Sequence, residues 1–270
     1  MNPEPPPATS AGFDRIDARP LRDPLLILAF SGWSDGGDAA TTAASYLLQT
    51  LAVEPFARLD CEPYFDFTVV RPQARLDAHG QRELIWPDPE LHAVRADPES
   101  GGRDLLIGVG EEPHLRWRTF ARTFARFVTE VGVRQVIHLG AYLADVIYSQ
   151  PVRVGMTSPD PEWIERFDLS PSRYEGSTGI LSALSEAYAR EGVTSASLWA
   201  PIPHYVTTRP HPRAALALLE KVEQVAGLSF DLSRLRVLAV EFDDEVSEAI
   251  AGDPQLAAYV RELKRRAFSR

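Results

Sequence analysis

The segment with the clearest potential for chemistry is the pentapeptide GWSDG, which begins at Gly32. It follows the apolar run LLILAFS and precedes an Ala- and Leu-rich stretch, so it matches the G-x-S-x-G nucleophile elbow in the strand-turn-helix setting that this motif requires. In that interpretation Ser34 attacks a carbonyl carbon, a histidine serves as its base, and an acid orients the imidazole. In α/β-hydrolases the triad follows the chain order serine, acid, histidine. Here Asp145 or Glu175 could be the acid, and His204 or His211 could be the base.

The position of the motif argues against a catalytic serine, and two other interpretations of this turn are a phosphate-binding turn and a purely structural turn. The elbow of an α/β-hydrolase follows a strand and a loop that supply an oxyanion-hole N–H, whereas Ser34 follows the first predicted strand. A phosphate-binding turn is disfavoured because Asp35 and Asp38 already complement the helix dipole, and neither a dinucleotide pattern nor a P-loop lysine is present. We therefore favour a tight turn that uses glycine for backbone freedom and an Asp as helix cap, and we assign no catalytic residue.

The histidines and the single cysteine, Cys61, do not show the spacing of a metal site. No HExxH motif is present, and no two histidines stand at ligand spacing; the six are His79, His92, His114, His138, His204 and His211. We expect neither a metal nor a cofactor. His138 alternates with Val136 in an apolar run and is predicted to be a hydrogen-bonded interior histidine, whereas His204 follows a predicted strand and is a candidate site residue.

Charge and hydropathy exclude several function classes. With 28 Lys and Arg against 38 Asp and Glu, the net charge is -10, which repels nucleic acid and anionic lipid. No apolar run approaches the roughly 20 residues that span a bilayer, and the N-terminus lacks the pattern of a signal peptide. One cysteine cannot form an internal disulfide. These features predict a cytoplasmic protein with no nucleic-acid or membrane partner.

Apolar runs alternate with helical patterns through most of the chain. Strands are predicted at Leu25–Gly32, Asp104–Gly110 and Arg134–Leu143, and a β-hairpin is predicted to pair Tyr64–Val70 with the ELIW segment across the DAHGQ turn. A later helix is predicted to be capped by Ser177 or Thr178 and to end at Gly192. Alternating β and α elements predict an α/β fold with a mixed, largely parallel sheet flanked by helices.

Three segments differ in composition. Residues 1–24 hold six prolines and are predicted to be a flexible leader, followed by an α/β domain over 25–230. Residues 231–270 are predicted to contain a helical hairpin, because apolar residues recur every three or four positions and Asp253-Pro254 is a helix start. Such a hairpin has little core of its own, so its apolar stripe must pack on the main domain or on another copy, which indicates a homo-oligomer.

In a sheet of this kind, functional groups gather where strands end. The side chains that follow predicted strands or turns define a candidate cleft or interface of seven residues. They are Trp33, Asp35, Glu112, Tyr174, Glu175, His204 and Tyr205.

Six motifs in a consistent order resemble the proteasome assembly chaperone family, and most of all its bacterial, actinobacterial-type members. They are GWSDGGDAA, YFDFTVVRP, LLIGVGEEPHLRW, HLGAYLADV, YEGSTGI and LWAPIPHYV, and they lie between about Leu25 and Gly227. The resemblance implies an α/β sandwich similar to nucleoside phosphorylases, self-association, and no established catalytic centre. Eukaryotic and archaeal members are ATP-independent chaperones that help to assemble the proteasome α-ring, so the resemblance also implies a protein client such as proteasome subunits.

The chain departs from the family pattern at three places. Similar proteins often carry Pro-His-Thr-Arg-Pro where this chain has residues 147–151, IYSQP, so an anion pocket built on that His and Arg is not expected. Ser177 stands where a proline is common. The chain ends Phe-Ser-Arg and lacks the hydrophobic-Tyr-X ending that docks into proteasome pockets.

Two functions remain after this comparison. The first is a non-enzymatic, oligomeric protein that acts through protein surfaces, as the family resemblance implies. The alternative is a hydrolase or nucleoside phosphorylase-like enzyme that uses the candidate cleft at the strand ends.

Overall fold

The computed structural model describes residues 12–97, 102–169 and 174–268. In these residues the strands are β1 (Phe13–Arg15), β2 (Leu25–Ser31), β3 (Glu54–Leu59), β4 (Gln73–Leu76), β5 (Arg82–Ile85), β6 (Glu90–Val94), β7 (Leu105–Glu111), β8 (Gln135–Ala144), β9 (Gly155–Thr157) and β10 (Thr194–Pro203). The helices are α1 (Ala39–Thr50), α2 (Trp117–Glu130), α3 (Pro161–Arg166), α4 (Ile180–Arg190), α5 (Pro212–Ala226), α6 (Ser233–Gly252) and α7 (Pro254–Phe268). A single 3-10 turn, Gly36–Asp38, precedes α1.

Eight of these strands form one mixed sheet in the order β1-β3-β6-β7-β2-β8-β10-β9. The pairs β1–β3, β3–β6, β6–β7 and β9–β10 are antiparallel, and a parallel bridge joins Asp35 to Ala141 beyond the end of β2. The most apolar strands, β2, β7 and β8, lie at the centre because only a strand covered on both faces buries a continuous apolar run. The predicted fold class, a mixed sheet flanked by helices with further helices at the C-terminus, is confirmed.

The chain forms two compact units. The first contains the described residues of Met1–Leu28, Leu51–Ile137 and Arg173–Ala196, and the second those of Ala29–Thr50, His138–Ser172 and Ser197–Arg270. In the first unit α2 packs on α4, and Phe13 stacks on Phe127 with ring centroids 4.0 Å apart. In the second unit α1 packs on α5, and α5 packs on α6. The boundaries predicted at residues 24 and 230 remain predictions.

The predicted leader overlaps an ordered strand. Residues 1–11 lie outside the described part of the chain, whereas Phe13–Arg15 form β1, which pairs antiparallel with β3. The Phe13 side chain is fully buried, and its ring contacts Phe124 and Phe127. A three-residue edge strand has too short a pattern to stand out in a Pro-rich sequence.

The predicted hairpin is correct at its turn and second strand but wrong at its first strand. Residues 64–70 form turns, and the hairpin consists of β4 and β5, which pair Gln73 with Ile85 and Leu76 with Arg82. The reason lies at Asp66, whose carboxylate accepts hydrogen bonds from the N–H and the hydroxyl of Thr68. These local bonds favour a turn over a strand even though the apolar residues alternate.

The C-terminal helices follow the predicted pattern. The Asp253 carboxylate accepts hydrogen bonds from Gln255 N–H at 2.9 Å and Leu256 N–H at 3.1 Å, so Asp253 caps α7 as predicted. Phe242, Val246 and Ile250 are buried on one face of α6. None of the helices in the described ranges combines the length and apolar character needed to cross a membrane.

Candidate functional site

The turn between β2 and α1 is organised by the Asp35 side chain. Its carboxylate accepts hydrogen bonds from the N–H groups of Ala40 at 2.7 Å and Thr41 at 3.3 Å, and from the Thr41 hydroxyl. Burial raises the pKa of Asp35, whereas these hydrogen bonds act in the opposite direction. Gly32 and Gly37 have φ values of +108° and +61°, which are strained for side chains other than glycine. The favoured interpretation, a tight turn with Asp as helix cap, agrees with this geometry.

Ser34 is buried inside this turn. Its carbonyl oxygen accepts a hydrogen bond from Ala141 N–H at 2.8 Å. Its Oγ is enclosed and forms no hydrogen bond with any residue that the structure describes. A nucleophile elbow needs its hydroxyl exposed and hydrogen-bonded to a base, so Ser34 lacks the arrangement that activates a serine.

His204 lies in a small polar cluster that joins the ends of β8 and β10 to α7. Its Nε2 is 3.1 Å from Asp145 Oδ1 and 2.9 Å from the Tyr259 hydroxyl oxygen, and Tyr259 donates to Asp145 at 3.2 Å. Desolvation raises the pKa of Tyr259, and the charge of Asp145 acts in the same direction. The structure therefore pairs His204 with Asp145, one of the two acids considered for it. All three side chains belong to the second unit.

Tyr205 sits beside this cluster and fixes the chain that follows β8. Its hydroxyl donates to Val146 C=O at 3.0 Å and accepts from Tyr148 N–H at 3.0 Å. Its ring makes edge contacts with His204 and Tyr259, with centroids 5.5 and 5.6 Å away. Burial raises the pKa of Tyr205, so its hydroxyl stays a neutral donor. We conclude that Tyr205 has an architectural role here.

His211 caps α5. Its Nδ1 accepts a hydrogen bond from Ala214 N–H at 3.2 Å, and its backbone N–H donates to Gly37 C=O at 2.9 Å. The ring is buried against Phe242 at a centroid distance of 4.5 Å. Burial lowers the pKa of His211 to about 4, so it is neutral at pH 7. Because the lone pair of Nδ1 is used as a cap, His211 is not placed as a general base.

Strand β8 contains a buried histidine, His138, and a glycine, Gly140, against which Trp199 packs. His138 is fully buried, its Nδ1 lies 3.3 Å from Ser197 Oγ, and burial lowers its pKa to about 3. The prediction of a hydrogen-bonded interior histidine is therefore confirmed. Two residues later, a Cβ on Gly140 would lie 2.6 Å from the Trp199 ring, so the glycine of the HLGAYLADV motif allows Trp199 to pack directly on the strand.

A cavity of about 340 Å³ lies in the second unit beside the segment that replaces the family's Pro-His-Thr-Arg-Pro. It is lined by Tyr148, Gln150 and Arg153, among others. The second lining arginine, Arg213, is already bound: its guanidinium lies 2.6 Å from Asp243 Oδ1 and donates to Gln150 C=O at 2.7 Å. The positive charge that Arg213 could offer to an anion is thereby reduced.

Three of the seven residues of the candidate cleft, Glu112, Tyr174 and Glu175, belong to the first unit. The Glu112 carboxylate accepts a hydrogen bond from Ile180 N–H at 2.7 Å and so caps α4 from a distant part of the chain. The expected caps, Ser177 and Thr178, were wrong, since α4 begins after Gly179. Tyr174 is exposed and its hydroxyl donates to Ser177 C=O, while Glu175 is exposed.

The remaining candidate, Trp33, lies in the second unit. Trp33 is exposed at the turn that Asp35 organises, close in sequence to the bridge with Ala141. Tyr259 was missed by sequence reasoning, although it belongs to a helical pattern of Leu256, Tyr259, Val260 and Leu263 that marks the inner face of α7. Among the described residues no group of three or more His, Cys, Asp and Glu side chains is placed to hold a metal ion.

Fold and site together define a class of protein: an α/β sheet protein in which the turn that resembles a nucleophile elbow is a helix cap. A family model described as the PAC2 family matches residues 29–250. The chain belongs to the PAC2 family, which confirms the resemblance that the sequence motifs carry.

Solved structures agree with this family. A PAC2 family protein from Streptomyces avermitilis is 41% identical, with a TM-score of 0.82 over 88% of this chain and 100% of the other. A Mycobacterium tuberculosis protein described as a proteasome-assembly chaperone homologue is 36% identical, with a TM-score of 0.77 over 87% and 99%. An archaeal proteasome activator from Pyrococcus furiosus, 22% identical with a TM-score of 0.71 over 88% and 97%, shares the fold. No curated protein matches the chain.

Proposed function

We propose that this protein is a non-enzymatic, homo-oligomeric member of the PAC2 family that binds protein partners through its surfaces, in the manner of ATP-independent proteasome assembly chaperones. The observation that carries the proposal is the 36% identity, over 87% of this chain and 99% of the other, to the mycobacterial protein described as a proteasome-assembly chaperone homologue. The proposed partners are proteasome subunits.

The site geometry supports the absence of catalysis. The side chains that suggested chemistry have structural roles: Asp35 caps α1, Glu112 caps α4 and His211 caps α5. Ser34 Oγ is enclosed, without a hydrogen bond to any described residue. A catalytic nucleophile and base must instead be within hydrogen-bond reach of each other. Trp33 in the second unit and Tyr174 in the first unit are among the exposed aromatic side chains.

Co-expression with bacterial proteasome subunits tests the proposed partner. We expect the protein to co-purify with α-subunits and to increase the yield of assembled rings on native gels. The matched control is an unrelated acidic protein of similar size. Neither co-purification nor a change in the yield of rings would contradict the proposed partner.

One observation favours the alternative enzyme. His204 is partly exposed and lies 3.1 Å from Asp145 Oδ1, which is the geometry of an oriented imidazole base. If the protein hydrolyses an ester or cleaves a nucleoside, His204→Ala should abolish the turnover, and Ser34→Ala should do so if the serine is the nucleophile. If a panel of esters and nucleosides reveals any turnover, we expect neither substitution to change its rate.

A further inference from the structure

The solvent face of α6 carries apolar residues that nothing in the described chain covers. The buried stripe of this helix includes Leu235, Phe242 and Val246. On the opposite side, Val237 and Val240 are 57% and 62% exposed. Residues three apart on a helix are neighbours, so the two valines form one continuous apolar patch. Burial of such a patch against a partner would be favourable.

Charges on the same face are divided along the helix axis. Arg234 precedes the valines, whereas Glu241, Asp244 and Glu248 follow them. All four side chains are exposed, and none makes an ion pair or hydrogen bond with the residues that the structure describes. The face is therefore basic at its start, apolar in its middle and acidic towards its end.

When two α6 helices pack antiparallel, the basic start of one lies beside the acidic end of the other, so the face is complementary to a second copy of itself. Consider a two-fold axis through the midpoint between Val237 and Val240. With a rise of about 1.5 Å per residue, Arg234 lies about 7 Å from this midpoint on one side and Asp244 about 8 Å on the other. In an antiparallel pair of α6 helices, Arg234 of each copy therefore faces Asp244 of the other copy, and the valines meet at the axis. A C2 contact uses the same patch on both subunits, as this pattern requires.

We infer that the α6 face formed by Arg234, Val237, Val240, Glu241, Asp244 and Glu248 binds the same face of a second copy of this chain, antiparallel and two-fold symmetric. The inference rests on the proposed function in so far as that function includes self-association, and it names the surface responsible. The partial positive charge at the start of each helix adds to the attraction, because it lies opposite the acidic residues of the other copy.

The small area of this contact limits the affinity of the dimer. One pair of helix faces falls at the small end of protein interfaces, below about 1,200 Å². We expect a dimer with a dissociation constant in the micromolar range, weakened by salt because its flanking ion pairs are exposed. Sedimentation equilibrium at several protein concentrations measures this constant directly.

Charge reversal gives the sharpest test. Arg234→Glu places two acids opposite each other in each contact, and Asp244→Arg places two arginines opposite each other. Each variant alone should dimerise about tenfold more weakly or worse. An equimolar mixture of the two variants pairs Glu with Arg and Asp with Arg in the same contact, so it should restore the affinity. The matched control is Arg261→Glu on α7, an exposed arginine away from this face, which should dimerise as the wild type does.

Each outcome has a definite meaning, provided that circular dichroism shows the variants to be folded. Loss of dimer in both variants and recovery in the mixture support the inference. A wild-type oligomer that both variants preserve overturns the α6 interface and leaves self-association through another surface intact. A wild-type protein that stays at 29.9 kDa up to about 100 μM, far above a micromolar dissociation constant, overturns the interface and the oligomeric part of the proposed function together.

Discussion

At the start of α1, one carboxylate satisfies two backbone N–H groups that the helix leaves unpaired. We expect Asp35→Ala to lower the free energy of unfolding by about 2 kcal/mol, because the cap and the buried bond to Thr41 are lost together. Urea denaturation measures the change. Asp38→Asn is the matched control, since the Asp38 side chain is half-exposed, asparagine tolerates its positive φ, and its ion pair with Arg209 contributes little. Equal losses in the two variants would contradict the cap assignment.

His211 makes the stability depend on pH. Its pKa is lowered to about 4 in the folded protein, while an unfolded histidine titrates near 6.5. Between these values only the unfolded chain takes up the proton, so this stability is present above pH 6.5 and is lost as the pH falls towards 4. Besides burial, two charged groups affect this pKa in opposite directions: Arg213 lowers it and Asp243 raises it. His138, with a pKa of about 3, acts in the same direction.

The variant His211→Asn isolates this effect. Asparagine caps helices but does not titrate in this range. We expect the slope of unfolding free energy against pH to fall by about 1.4 kcal/mol per pH unit near pH 5, relative to the wild type. Urea titrations at pH 5 and pH 6 measure the slope. An unchanged slope would show that His211 is already protonated in the folded protein.

Single residues differ in how far the sequence could predict them. The Asp35 cap could be predicted because the carboxylate and the N–H groups it binds lie within six residues. The pairing of His204 with Tyr259 could not, because 55 residues separate them and only the packing of α7 brings them together. For Asp145 the sequence offered two histidines, His204 and His211, and could not choose between them, since a charge pattern does not say which strand ends lie next to each other.

At the scale of elements, the start of α4 depends on a group from another part of the chain. Glu112, which follows β7, binds the N–H of Ile180, 68 residues later. We expect Glu112→Ala to destabilise the protein by about 1 kcal/mol and to speed amide exchange in the first turn of α4, because the N–H loses its acceptor. Hydrogen-exchange mass spectrometry of peptides covering residues 180–184 measures this.

The controls for this prediction separate the cap from charge alone. Glu112→Gln keeps an oxygen acceptor and should retain most of the protection. Glu175→Ala removes an exposed carboxylate that is close to α4 in the sequence, and it should change the free energy of unfolding by less than about 0.5 kcal/mol. If exchange in the first turn of α4 is the same in Glu112→Ala as in the wild type, the cap is not formed in solution.

Elements with strong periodicity could be predicted well, and elements set by local polar bonds or distant contacts could not. The apolar runs of β2, β7 and β8 and the stripe of α6 were clear in the sequence. The first strand of the hairpin was misplaced because Asp66 holds residues 64–70 in turns. The N-terminus of α4 was misplaced because its cap comes from Glu112 and not from the adjacent serine or threonine.

At the scale of the whole molecule, the protein combines a common α/β fold with candidate site residues several of which have structural roles. Folds of this kind host both enzymes and binding proteins, so the fold alone does not decide between them. The side chains at the turn after β2 argue against one enzyme mechanism, a catalytic serine, because Asp35 is occupied as a cap and Ser34 is enclosed.

The central claim is that Ser34 is not a reactive nucleophile. Reaction with a fluorophosphonate probe, followed by intact-protein mass spectrometry, tests this claim most directly. Such probes label serines that a neighbouring base has activated, and an enclosed hydroxyl without a base should not react. We predict that the mass of the wild-type protein stays unchanged under conditions that fully label a serine hydrolase. A single added phosphonyl group that disappears in Ser34→Ala would contradict the account and would establish a reactive serine at this turn.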